Sequence, residues 1–119
     1  MPTMKELATR QQECCCNYNA QCVAPTGQQL VVISDGVLEG RAPLEGVRYP
    51  SPKHMTGWWL TTNDYDGNTS LLRTVHFYHI VERRPEASVY MALPYGYRFQ
   101  LGGEEEFVWF DDIVANETE

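Results

Sequence analysis

The chain has 119 residues, 43% hydrophobic and 21% charged, with a formal net charge of −7, which allows one buried core, leaves too little chain for two, and excludes wholesale disorder. The acids are unevenly placed: residues 1–73 carry six Lys/Arg against seven Asp/Glu, and residues 74–119 carry three against nine. Such a surface repels phosphate backbones, so no nucleic-acid partner is expected, and its electrostatic complement is a basic protein.

Residues 3–15 predict a first helix, with Thr3 placed as N-cap and Glu6 following as in a capping box. The N-terminus lacks the apolar core of a secretory signal, and no run approaches the roughly 20 apolar residues of a membrane span. A cytoplasmic location and no membrane partner are the expectation. Cys14, Cys15, Cys16 and Cys22 fall together in "ECCCNYNAQC". Adjacent cysteines rarely bridge, because a disulfide holds its α-carbons about 5.5 Å apart. A zinc site uses spaced ligand pairs that this run lacks. Reduced thiols packed as small hydrophobes are expected, with no metal and no cofactor.

After a turn at Pro25-Thr26-Gly27, Leu30-Val31-Val32-Ile33 reads as a strand buried on both faces, which places Val32 in the core. Ser34-Asp35-Gly36 closes it, and the Gly- and Pro-rich residues 36–56 hold a second short strand at Val47-Arg48-Tyr49. Residues 57–62 form the next strand, "GWWLTT", in which neighbouring tryptophans must point to opposite faces. Trp58 is assigned to the core, and Trp59 to the cover of a helix or a partner. Residues 63–68 turn. From Leu71 the apolar positions Leu72, Val75, Phe77, Tyr78, Ile80 and Val81 fit a helix capped by residues 68–70, and Pro85 interrupts it and restarts a second to about Leu93. Residues 94–100 and Phe107-Val108-Trp109-Phe110 then make an antiparallel hairpin around Gly102-Gly103 and Glu104-Glu105-Glu106, with Phe99 in the core.

The sum is an α+β fold: a single small domain over residues 1–119, mostly antiparallel sheet packed with two to three short helices. Within it, residues 1–20 form a helical, cysteine-rich extension, 22–113 the core, and 114–119 a frayed tail.

No stretch reaches the standard of an active site, so an enzyme is not expected. His76-x-x-His79-x-x-Glu82 is the nearest to a metal or acid/base motif, but it lacks the spacing of a zinc-protease helix. Asp64-x-Asp66-Gly67-Asn68 resembles the opening of a calcium loop, yet the twelfth position holds Val75 where a bidentate glutamate belongs. Glu13 ahead of the cysteines raises rather than lowers a thiol pKa. A binding surface is better supported. Glu104, Glu105 and Glu106 on one side and Asp111 and Asp112 on the other flank an aromatic strand, an apolar centre with an acidic rim suited to a basic partner. Trp59, Asp64, Tyr65 and Asp66 add a second patch.

The succession of "VVISDGVLEG", "GVRY", "TGWW" with its acidic turn, and "TVHFYHIVERRPEASVYMALPYGYRF" resembles a family of small bacterial domains assigned as immunity proteins of polymorphic toxin systems, number thirty-three in that series. The matching positions are Val32, Ser34, Asp35, Leu38, Glu39, Gly40, Gly57, Trp58, Asp64, Asp66, Pro85, Pro94, Gly96 and Phe99, across roughly residues 22–100. Thr56 stands where serine is usual, Trp59 where a smaller aromatic or arginine is common, and the N-terminal helix has no counterpart. The resemblance implies an α+β domain that binds and neutralises a cognate toxin protein. Alternatives of other classes are a non-enzymatic scaffold or adaptor, and a small enzyme using His76 and His79 or the cysteines.

Overall fold

A computed structural model describes residues 3–117 and is built on one six-stranded sheet. In chain order the elements are α1 (Met4–Asn17), β1 (Leu30–Ile33), α2 (Asp35–Leu38), β2 (Leu44–Arg48), β3 (Met55–Thr62), β4 (Arg73–His76), α3 (Phe77–Arg83), α4 (Pro85–Ser88), β5 (Tyr97–Leu101), β6 (Phe107–Phe110) and α5 (Asp112–Ala115). The sheet order is β4-β1-β3-β2-β5-β6. The β1–β3 pair is parallel and the others are antiparallel. The fold is α+β, and no helix among the described residues is long and apolar enough to cross a membrane. Thr118 and Glu119, the end of the tail expected to fray, lie outside the described residues; Asp112–Ala115 forms a helical turn.

The helices α1, α3 and α4 cover one face of the sheet. Leu7, Gln11, Cys14 and Cys15 recur at helical spacing and form the buried stripe of α1, and the Gln11 amide donates to the Ser88 carbonyl at 3.0 Å. The start of α1 is set by Thr3, whose hydroxyl accepts from the Glu6 N–H at 3.1 Å. Beneath the helices lie Val31, Ile33, Trp58, Leu60 and Phe99, all fully buried. Trp58 donates its indole N–H to the Met91 carbonyl at 2.7 Å and packs 5.1 Å from the Phe99 ring. Gly46 on β2 gives that ring its room, since a Cβ there would lie 2.5 Å from Phe99. Gly57 has φ +87°, and a Cβ there would also meet the Tyr49 carbonyl, so the "TGWW" strand needs its glycine.

Two expectations are corrected. Leu71 to His76 is not helix: Thr69–Leu71 is one 3-10 turn capped by Asn68, and Arg73–His76 is a strand. Pairing Val31 with Val75 and Val32 with Thr74 covers the flank of β1 that β3 leaves open, and that tertiary demand outweighs the helical spacing of the apolar residues. The helix begins at Phe77, whose N–H donates to the Gln29 carbonyl at 2.8 Å. Val32 is the second correction. β1 alternates, with Val31 and Ile33 inside and Val32 half-buried on the opposite face beside Trp59.

Candidate partner-binding surface

The face of the sheet turned away from the helices carries the aromatics that the core does not use. Strand register sets Thr74, Val32, Trp59, Val47, Arg98 and Trp109 in one row across all six strands, each about 4.8 Å from the next. The adjacent row runs Thr61, Glu45, Gln100, Phe107. Along this face Trp59 is 38% exposed, Trp109 42% and Phe107 46%. The Tyr49 ring meets Trp59 edge-on at 5.8 Å. The Arg98 guanidinium lies over the Trp109 ring at 5.3 Å and donates to Asp111 at 3.1 Å.

The acids gather at the ends of the strands. The parallel β1 and β3 finish beside the start of β2 and the β5–β6 turn, so Asp35, Asp64, Asp66 and Glu104 to Glu106 share one end of the sheet. Asp111 and Asp112 lie at the other. They differ in availability. Asp111 caps α5 through the Ile113 N–H at 3.1 Å, and the Arg98 hydrogen bond holds its carboxyl below the ordinary carboxylate range. Asp112 is exposed, as are all three glutamates.

The loop after β3 is largely occupied with its own structure. Asp64 accepts from the Thr62 hydroxyl, which with Arg41 Nε at 3.6 Å draws its pKa down. Asp66 accepts from the Asn68 N–H at 3.0 Å, and Tyr65 is half-buried. With Ser34 and Asp35 these residues line a hollow of about 160 Å³. No group of three or more metal-ligating side chains forms among the described residues.

His76 and His79 do not share a helix face, because His76 ends β4. Their rings lie 6.1 Å apart, each against Tyr78. The cysteines are free thiols: Cys14 and Cys15 buried, Cys22 half-buried, Cys16 exposed. Burial, then a hydrogen bond with Cys22, pushes Cys15 up to about 12, the reverse of an activated nucleophile.

Arg48, in the sequence only a basic residue in "GVRY", is 2% exposed. Its Nε donates to the Thr56 carbonyl at 2.8 Å, and its Nη1 donates to the carbonyls of Val23 at 2.7 Å, Leu93 at 2.8 Å and Met91 at 3.3 Å. The Tyr95 ring lies 4.7 Å from the guanidinium carbon. Burial lowers the Arg48 pKa to about 10, so it remains a cation near neutral pH, held by carbonyl dipoles and joining the sheet to the segment after α4. Nothing local in the sequence distinguishes it from a surface arginine.

Residues 10–111 match the family described as Imm33-like domain. Neither the curated proteins nor the solved structures contain a match.

Proposed function

We propose, for a chain that belongs to the Imm33-like family, that it is an immunity protein which binds a toxin protein and neutralises it, without catalysis of its own. The observation that carries this reading is the row of exposed aromatics on the free sheet face, Trp59 and Trp109 with Phe107 beside them. Exposed aromatics gathered on one face, unlike singly scattered ones, mark interaction surfaces. Exposed Glu104 to Glu106 and Asp112 around this face favour a basic contact surface, and charge at a rim steers encounter. Inhibition would follow from covering the partner's cleft or an adjacent surface.

The test is affinity capture from the native host, followed by co-expression of the captured protein with this chain. A single stoichiometric protein whose growth inhibition disappears on co-expression supports immunity. A captured protein that is harmless with or without the chain points to an adaptor.

A further inference from the structure

One border of the sheet carries an unused hydrogen-bonding edge. β6 pairs with β5 on one side and is the last strand in the sheet order. The Asp111 N–H donates to the Gly96 carbonyl at 2.8 Å. Since backbone groups in an antiparallel ladder point alternately toward and away from the neighbour, Phe107 and Trp109 engage β5, and the N–H and C=O of Val108 and Phe110 face outward. α5 does not close this side. It turns back so that Ala115 lies against Gly96.

Edge strands are usually blunted by charge or proline. β4, at the opposite border, carries Arg73 and His76. β6 reads Phe-Val-Trp-Phe with no charge inside it, and Phe107, Trp109 and Phe110 are exposed. Its charges stand outside both ends: Glu104, Glu105 and Glu106 before it, Asp111 and Asp112 after it.

We propose that the partner docks by adding an extended segment to the free edge of β6, and that this segment has an apolar centre with Lys or Arg at both ends. The inference rests on the toxin-binding reading and specifies its contact. A second copy of this chain is a poorer occupant, because the registers that pair most of β6 oppose like charges. Antiparallel pairing of Val108 with the Phe110 of another copy sets Glu106 opposite Asp112, and pairing Val108 with Val108 sets Glu104 opposite Asp112. A parallel arrangement aligns the glutamates with one another. Like charges directly opposite destabilise a strand pair. Basic ends convert each of these repulsions into an attraction, while the Val108 and Phe110 backbone supplies affinity that is indifferent to sequence. Side chains of the added strand that point to the open face would lie beside Trp109 and Phe107, where selectivity between partners would arise.

The probe is a synthetic peptide of alternating Thr and Val between paired lysines, titrated into the full chain and followed by backbone amide NMR. The largest shifts are expected at Val108, Phe110 and their immediate neighbours. Affinity should fall by about tenfold or more when the peptide's edge-facing amides are N-methylated, or when its lysines become glutamates. Val108→Pro should weaken binding similarly, since it removes an outward N–H and leaves the β5 ladder in place. The proposal is overturned if β6 amides do not move, if the shifts centre on Trp59 and Val47 with N-methylation having no effect, or if the chain dimerises through β6 instead. Capture keeps the two readings apart: a Val108→Pro chain that holds the native partner at full affinity removes the strand-addition inference alone, whereas a wild-type chain that captures nothing removes the immunity reading.

Discussion

Trp58 and Trp59 are chemically identical neighbours whose roles are separated by the pleat. Trp58 is fully buried with its indole N–H bonded, and Trp59 is 38% exposed. Trp58→Ala should therefore cost about 3–5 kcal/mol in chemical denaturation, while Trp59→Ala should cost clearly less in stability and weaken partner binding. Arg48 makes a sharper case. Arg48→Met would leave the carbonyls of Thr56, Val23 and Leu93 buried without their donor, so a loss of about 3 kcal/mol or more is expected, although methionine fills similar volume. Arg48→Lys should recover little of it, because an ammonium cannot span the same fork of acceptors. At the thiols, Cys15 is raised from its ordinary value of 9.0 to about 12 and Cys14 is raised by burial. Groups raised on folding contribute stability in full below pH 9, and it is lost as pH climbs toward 12. Cys15→Ala should flatten that decline, read as denaturation midpoints at about pH 8 and pH 11, and the exposed Cys16 should be alkylated first by iodoacetamide. The tryptophan alternation was legible in the sequence. Arg48 was not, because its burial is made by segments far along the chain.

At the scale of elements, legibility followed how local the cause was. The Thr3 cap, the strand ending in residues 57–62 and the hairpin of β5 with β6 all rest on neighbours in sequence, and all are present. The segment from Leu71 to His76 failed because the period of its apolar residues competes with the open flank of β1, which sequence does not display. Val32 failed for a related reason: a run of apolar residues looks the same whether both faces are covered or one. In the β5–β6 turn, exposed Glu104, Glu105 and Glu106 face solvent beside the aromatic edge. Changing all three to glutamine should slow partner association several-fold at low ionic strength, shrink in effect as salt rises, and leave dissociation nearly unaltered. Equal rates for wild type and triple mutant at both salts would make the turn a solubility feature.

Over the whole molecule, the α+β class and the family were readable from composition, element order and the "SDGVLEG", "TGWW" and "PYGYRF" stretches, and the family match spans residues 10–111. The sheet order was not readable, since β2 lies between β3 and β5, and β1 lies parallel to β3, through crossovers that no local pattern encodes. The acids that bracket β6 were visible in the sequence, but the gathering of Trp59, Trp109 and Phe107 onto one open face came from that order. One fold thus turns its helices inward over Trp58 and leaves an aromatic face and an acid-bracketed edge exposed. The most direct measurement titrates the captured partner with this chain and follows the partner's growth-inhibiting activity. Activity should vanish at one chain per partner, and Trp109→Ala should require a clear excess; a partner that keeps full activity when saturated with wild-type chain contradicts immunity.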